Sequence, residues 1–186
     1  MRSMSMAGRL ELEERELLCF AAEGAVRDWS SLFLTREIGS SIERASWGFA
    51  AFSATMALCR LSGDCLRLRF GERNVIVASG VLAVLGFVLA VAPSGDLSAA
   101  AGFGLVGVGL SNVVPILISA AGRTRSPGSS IAFVVSFGYA GYLASPPALG
   151  FIASHSSLAT MFLVVAAACV AIPAGWRLVE RTQADA

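Results

Sequence analysis

The feature that most constrains the fold of this 186-residue chain is a succession of long apolar segments. A helix needs roughly 20 apolar residues to cross about 30 Å of hydrocarbon, because lipid offers no partner for free backbone groups. Measured against that length, the sequence predicts six membrane-spanning helices, at residues 17–34, 45–61, 74–92, 97–121, 129–153 and 158–176.

The charge content agrees with a membrane environment. Only 15% of the residues are charged, whereas soluble domains carry about 25%. The first segment is the weakest of the six, because it contains Glu23, Arg27 and Asp28. The sequence therefore predicts an all-α integral membrane protein in which one helix carries charge.

The distribution of arginine predicts the orientation. An even number of spans places both chain ends on one side of the membrane, and with both ends in the cytoplasm eleven arginines lie inside while only Arg36 and Arg44 lie outside. Cytoplasmic loops carry such an excess of positive charge. We therefore expect a cytoplasmic segment at residues 1–16, a six-helix domain at 17–176 and a cytoplasmic tail at 177–186.

The strongest basic run is "RLSGDCLRLRFGER", residues 60–73, which lies between the second and third predicted spans. A nucleic-acid contact would require a soluble domain around the patch, and the flanking sequence offers none. No nucleic-acid partner is expected. The run is predicted to be a cytoplasmic loop, for which contact with anionic lipid is a secondary effect.

The predicted spans differ in polarity. The third and sixth contain no ionisable residue in their apolar cores and are predicted to face lipid, whereas the first, fourth and fifth contain polar side chains. Polar groups inside a span are costly and by default mark a substrate or proton pathway. The candidate pathway residues are Glu23, Arg27, Asp28, Asn112 and Tyr139.

Glu23 and Arg27 are four residues apart, so on a helix they share a face and are predicted to neutralise each other. Asp28 adds a second carboxylate at the next position. In the alternative interpretation, the first span is short and these charges lie near the membrane interface, where the neighbouring Trp29 is also favourable. The sequence leaves both interpretations open.

The stretch "GFGLVG", residues 102–107, matches the glycine spacing of dinucleotide-binding loops. That spacing has its meaning only between a strand and a helix of a soluble domain, which this sequence does not predict. We interpret Gly104 and Gly107 as sites of close helix packing. Pro115 in the same span, and Pro146 with Pro147 in the fifth span, are predicted to bend their helices.

Nothing in the sequence favours an enzyme, a cofactor or a metal site. The four cysteines show no C-x-x-C spacing, and the lone His155 offers them no second ligand type. A membrane serine protease would need Ser79 to face His155, and His155 falls in a loop predicted to lie outside. The sequence likewise offers no paired carboxylates and no phosphate-binding loop.

Several motifs carry a resemblance to a known family. The ending "RFGER" after "GDCLRL" is similar to the G-x-x-x-D-R-x-G-R-R motif that major facilitator superfamily transporters carry between the second and third helices of each half. The stretches "AEGAVRDWSSLFL", "GLSNVVPILISAAGR" and "GYAGYLASPPALGFIA" resemble the seventh, tenth and eleventh helices of a bacterial sugar-permease-like branch. The chain thus resembles the C-terminal six-helix half of such a transporter.

The resemblance implies a half with a 3+3 inverted repeat in the bacterial inner membrane, whose first and fourth helices line a cavity. It implies alternating-access transport of a small solute, with proton coupling through Glu23 as an option, and a second six-helix half as partner. The aspartate of the family motif is replaced by Leu68, so Asp64 is the remaining carboxylate for the gate. The implied gating residues are Arg60, Gly63, Asp64, Arg69, Gly71 and Arg73.

In a second hypothesis the chain has the same fold but no transport activity. In this alternative the chain is a truncated fragment, or an assembly partner for another half, and does not itself transport a solute. The lipid bilayer is the expected environment in both hypotheses.

Overall fold

The computed structural model describes residues 6–92, 95–124 and 126–174, and their backbone is helical with no strand. In chain order these ranges contain helices α1 to α9 and one π-helical turn. Their bounds are α1 Met6–Phe33, the π turn Leu34–Ile38, α2 Ile42–Leu61, α3 Gly63–Phe70, α4 Glu72–Val91, α5 Asp96–Leu110, α6 Val113–Gly122, α7 Pro127–His155, α8 Leu158–Cys169 and α9 Ala171–Ala174. The predicted tail, residues 177–186, lies outside the described residues.

The first helix runs through the boundary that the sequence predicts between residues 16 and 17. Helix α1 begins at Met6 and continues through the glutamate-rich stretch to Phe33, where the π turn extends it to Ile38. Glutamate, leucine and arginine are all good helix formers, so a change of polarity does not interrupt the backbone. Gly39, with φ of +79°, ends the segment in the left-handed region that favours glycine.

The basic run is helical, which differs from the predicted loop. Helix α3 covers Gly63–Phe70, directly after α2 ends at Leu61. Its alternating leucines and arginines have high helix propensity, and Ser62 separates it from α2. Gly71 ends the helix at φ +79°, and α4 begins at the next residue.

The predicted fourth span consists of two helices. Helix α5 ends at Leu110, α6 begins at Val113, and Ser111 and Asn112 form the turn between them. The predicted bend at Pro115 therefore lies a few residues earlier in the chain. Pro115 itself occupies the first turn of α6, where an N–H has no intrahelical partner and its loss costs little.

Pro146 and Pro147 lie inside α7, which continues as one helix from Pro127 to His155. Because proline has no N–H, Pro146 cannot donate to the carbonyl of Tyr142 four residues earlier. The Ser145 hydroxyl donates to that carbonyl instead, at 3.2 Å. A side chain thus replaces part of the bonding that the proline removes.

Glycines allow α5 to pack closely on two neighbours. A Cβ atom on Gly104 would lie 3.6 Å from the Ala51 Cβ of α2, and one on Gly109 would lie 2.7 Å from the Ala83 nitrogen of α4. The Thr55 hydroxyl of α2 donates to the Gly104 carbonyl at 2.7 Å. Small residues thus bring three backbones together, as in other membrane helix interfaces.

Helix α1 packs in parallel on α7, because Gly138 lies near Glu16 and Gly150 lies near Trp29. The pair formed by α1 and α7 meets the group formed by α2, α4 and α5 at the buried ring of Phe162 in α8. Its centroid lies 5.5 Å from that of Phe33 in α1 and 5.1 Å from that of Phe103 in α5. Aromatic rings at such separations form favourable pairs and fix the centre of the core.

Two helical segments of the described residues are long and apolar enough to cross a membrane by length and composition, Glu72–Val91 and Asp96–Gly122. Leu158–Pro173 is a shorter apolar segment. The sequence predicts six spans, and the difference has a physical reason. Charges in α1 and α2 and polar side chains in α7 dilute the apolar character of those helices.

Candidate functional site

Glu23 lies on α1 and is the carboxylate around which a polar cluster forms. One of its oxygens, Oε1, accepts a hydrogen bond from Arg60 Nη2 at 3.2 Å. The Glu23 side chain is 19% exposed and that of Arg60 is 44% exposed. The Cys19 thiol lies one helical turn before Glu23, with its sulfur 3.9 Å from the same oxygen. The pair joins α1 to the last turn of α2.

Arg60 makes a second contact, with the break between α5 and α6. Its Nε donates to the Ser111 carbonyl at 3.3 Å. In a regular helix this carbonyl would accept from the residue four positions later, which is Pro115 and has no N–H. The proline thus leaves an acceptor available, and the arginine occupies it. One guanidinium therefore connects three elements of the fold.

Asn112 stabilises the same break from the other side. Its amide nitrogen donates to the Ser111 hydroxyl at 3.0 Å and lies 3.4 Å from the Cys59 carbonyl of α2. A Cβ atom on Gly63 would collide with the Asn112 amide oxygen, so the start of α3 fits this position only without a side chain. Glu23, Arg60, Ser111 and Asn112 are called the polar cluster below.

The predicted pairing of Glu23 with Arg27 is not formed, which corrects the expectation from their spacing. Arg27 Nε instead contacts the Asp28 carboxylate at 3.1 Å. Its guanidinium carbon lies 4.1 Å from the ring centroid of Tyr142 in α7, a cation–π contact. Glu23 therefore faces α2, and the charges on α1 divide into two separate groups.

Tyr139, the remaining pathway candidate, lies outside the polar cluster. Its ring is 59% exposed and packs 6.0 Å from the ring of Phe20. The structure thus brings Glu23 and Asn112 into one region and leaves Tyr139 on the exposed face of α7.

The residues that the resemblance implies for a gate do not all contact one another in the structure. Asp64, the carboxylate expected to serve the gate, pairs with Arg67 in its own helix. Both Asp64 and Arg67 belong to α3, three positions apart, so the pair closes within one turn. Gly71, Arg69 and Arg73 are exposed, and the Arg69 guanidinium lies 5.5 Å from the ring centroid of Phe70.

Several connections were not predicted from the sequence. Arg67 donates to the Ser119 hydroxyl of α6 at 3.2 Å, and Arg123 binds Glu72 through two hydrogen bonds of 3.0 and 2.7 Å. Residues separated by 51 positions give no local signal of such a pair. These contacts fasten the ends of α3, α4 and α6 to one another.

Two acidic residues connect helix ends at the other end of the helices, where α2, α5 and α8 begin. Asp96 at the start of α5 accepts from Ser40 and pairs with Arg44 at 3.2 Å. Glu37 in the π turn accepts from the first backbone N–H groups of α8, including Ala159 N at 3.1 Å. A carboxylate at a helix N-terminus is favourable because the free N–H groups point toward it.

The described residues contain no group of three or more histidine, cysteine, aspartate or glutamate side chains that could hold a metal ion. The polar cluster consists of a charge pair and hydrogen bonds, and its arginine contacts both α1 and the turn between α5 and α6.

Comparisons with known proteins agree with this architecture. The model of the Major Facilitator Superfamily matches residues 19–186. An uncharacterised MFS-type transporter of Yersinia pestis is 41% identical over 169 residues, which cover 88% of this chain and 44% of that protein. Membrane protein MosC of Rhizobium meliloti is 35% identical over 157 residues, which cover 83% of this chain and 39% of that protein.

A crystal structure of the peptide transporter POT has the same fold. The two structures superpose with a TM-score of 0.79 at 16% identity, over 95% of this chain and 37% of the other. The chain thus spans less than half the length of the curated relatives it matches. The family expected from the sequence motifs is confirmed, and this helical membrane protein belongs to the Major Facilitator Superfamily of transporters.

Proposed function

We propose that this chain is the six-helix half of a secondary transporter in the bacterial inner membrane, moving a small solute by alternating access. Residues 17–176 form the half-domain, both ends lie in the cytoplasm, and a second six-helix half completes the cavity. The family membership and the fold support this proposal. The share of the relatives' length that the chain covers, 44% for the Yersinia pestis protein, is the share expected of one half.

The observation that carries the proposal is the shared guanidinium of Arg60. It joins Glu23 of α1 to the Ser111 carbonyl, at the one turn that divides the predicted fourth span. The resemblance implies that the first and fourth helices line the cavity, and we propose that this contact lies where the helices move. A partly exposed ion pair contributes about 1 kcal/mol or less, and it can therefore break and re-form during a transport cycle.

We propose further that Glu23 couples transport to protons. Protonation would remove its negative charge and thereby release Arg60, so that the contact among α1, α2 and the α5–α6 turn weakens. A proton taken up from one side would in this way shift the balance between two arrangements of the helices. Glu23, rather than Asp28, is the candidate because among the described residues Asp28 forms its ion pair with its neighbour Arg27.

The test uses the active assembly, including its companion half, in liposomes that enclose a pH-sensitive dye. Neutral monosaccharides and disaccharides are the first solutes to add, because the opening helix resembles a sugar-permease-like branch. We expect at least one of them to drive proton entry in the wild-type assembly. Glu23→Gln should abolish that proton entry, because the amide keeps the shape of the side chain but cannot exchange the charge.

Asp28→Asn is the matched control, since it removes a carboxylate five positions along the same helix. It should leave solute-driven proton entry close to that of the wild type. Full proton entry with Glu23→Gln would refute the coupling role. Solute exchange without any proton movement in the wild type would leave transport intact and reject the coupling.

The second hypothesis, a fragment or assembly partner that does not transport, draws on the same coverage of less than half of each relative. What the neighbouring open reading frame encodes distinguishes the second hypothesis from the split transporter. A six-helix frame ending near the start of this one would favour a split transporter. If co-expression with every adjacent membrane protein gives no complex and no transport, the second hypothesis is favoured.

A further inference from the structure

A pocket of about 400 Å³ lies between α3, α4, the end of α2 and the α5–α6 segment, and it shares Asn112 with the polar cluster. Sites for small organic ligands have volumes of about 300–1,000 Å³, so the space is large enough for a ligand. Most of its wall is apolar and comes from Leu66 and Phe70 of α3, Val75 and Leu82 of α4, and Val108 of α5.

Two of the polar side chains that line the pocket, Asn74 and Asn112, donate hydrogen bonds within the protein. The amide nitrogen of Asn74 donates to the Phe70 carbonyl at 2.9 Å, and that of Asn112 donates to the Ser111 hydroxyl at 3.0 Å. A polar solute would therefore find few free donors there and would lose its own hydration. The pocket suits a hydrocarbon chain better.

Two arginines that do not themselves line the pocket neighbour residues that do. Arg69 lies beside the lining ring of Phe70, with 5.5 Å between the guanidinium carbon and the ring centroid, and Arg73 directly precedes the lining residue Asn74. Both nearby carboxylates have other partners, because Asp64 pairs with Arg67 and Glu72 pairs with Arg123. Among the described residues, Arg69 and Arg73 have no carboxylate partner.

The surface beside the pocket has the composition of a membrane interface. Leu61, at the end of α2, is 86% exposed, and Leu68, between Arg67 and Arg69 of α3, is 89% exposed. Arg67 holds the helix to Ser119 of α6 on its other side. Apolar side chains that alternate with arginines are typical of helices that lie at the boundary of headgroups and acyl chains.

We propose that this pocket binds one anionic phospholipid, with an acyl chain between α3 and α4 and the headgroup phosphate against Arg69 and Arg73. The argument is the complementarity of an apolar slot and two unpaired cations to a lipid that has an apolar chain and a negative headgroup. This inference holds whether or not the assembly transports a solute, because it depends only on the membrane environment.

The test measures which lipids stay bound to the full chain. The protein is placed in nanodiscs that contain equal amounts of phosphatidylglycerol and phosphatidylcholine with the same acyl chains, and native mass spectrometry counts the lipids retained after release. We expect the wild type to retain phosphatidylglycerol in preference to phosphatidylcholine. The double variant Arg69→Gln with Arg73→Gln should reduce that preference roughly tenfold, as expected for two cations at an anionic surface.

The matched control is Arg36→Gln with Arg44→Gln, which removes two exposed arginines near the opposite end of α2. It should keep the wild-type preference, and an equal loss in this control would overturn the proposal. So would a wild type that retains both lipids equally.

A second pair of variants tests the apolar slot. Ala78 lines the pocket, so Ala78→Phe should fill it and lower the retained phosphatidylglycerol. Ala167→Phe adds the same bulk at an exposed position of α8 and should change nothing. Unchanged lipid retention with Ala78→Phe would overturn the placement of the acyl chain.

Discussion

At the scale of single residues, Arg60 connects helices that are distant in the chain. Its two hydrogen bonds reach a carboxylate on α1 and a carbonyl at the α5–α6 turn, so its loss would release two elements together. Arg27 carries the same charge, yet its polar and ring contacts among the described residues are with its neighbour Asp28 and the Tyr142 ring. The role of an arginine in this fold therefore depends on which helix ends it connects.

Glu16 provides a prediction at the residue scale. Its side chain is fully buried, and neither of its carboxylate oxygens has a hydrogen-bond partner among the described residues. A buried polar group without a partner destabilises the folded state by about 1–3 kcal/mol. Glu16→Met should therefore raise the thermal midpoint of the chain in detergent, since methionine fills similar space and has similar helix propensity.

The control for this prediction is Glu14→Met, because Glu14 is exposed two positions earlier on the same helix. It should leave the midpoint unchanged. A lower midpoint for Glu16→Met would contradict the prediction and indicate that the carboxylate makes a stabilising interaction in solution.

At the scale of secondary-structure elements, the α5–α6 segment shows how one proline changes a helix. Pro115 needs no partner for itself in the first turn of α6, but it leaves the Ser111 carbonyl without its regular donor. Arg60 supplies that donor from α2. The interruption is thus joined to a neighbouring helix.

The glycines of α5 give a prediction at this scale. A Cβ atom on Gly107 would lie within 3.1 Å of the Phe52 carbonyl carbon in α2, which is backbone and cannot rotate away. Gly107→Ala should therefore destabilise the fold by about 1–3 kcal/mol, the usual cost of overpacking. The measurement is the thermal midpoint of the chain in detergent.

Gly104→Ala is the control for this substitution, on the same helix and facing the same neighbour. Its Cβ would meet the nearest atoms at 3.6 Å, which is ordinary contact. Alanine is a better helix former than glycine, so this variant should keep or raise the midpoint. Equal losses in both variants would contradict the packing argument.

At the scale of the whole molecule, the helices form two groups that meet at the ring of Phe162. One group contains α1 packed on α7, and the other contains α5 between α2 and α4. Outward rows of large apolar side chains, such as Val81 and Leu85 on α4, remain exposed. Lipid, or a second half of a transporter, is the environment that would cover these rows.

The proposed orientation leads to a prediction for the whole chain. A reporter that is active only in the cytoplasm should work when it is fused after Ala186 or inserted within residues 122–128. The same reporter should be inactive when it is inserted at residues 94–96, because the arginine distribution places that connector outside. The reverse pattern of activity would overturn the orientation.

The helical class and the family followed from the sequence alone, because apolar length, small residues and short motifs are local properties that need no partner. The sequence likewise singled out Glu23, Asn112 and the glycines of α5 as unusual inside apolar segments. It predicted the wrong partner for Glu23, since spacing of four positions measures only what one helix brings together.

Only the tertiary structure decided the contacts between distant helices. Arg60 is 37 positions from Glu23, and Arg123 is 51 positions from Glu72, so nothing local relates the members of either pair. The sequence predicts a loop where α3 lies because the polarity of these residues resembles that of a connector, although the residues are good helix formers. Long side chains such as arginine reach several neighbours, and which of them they bind is fixed only when the helices pack.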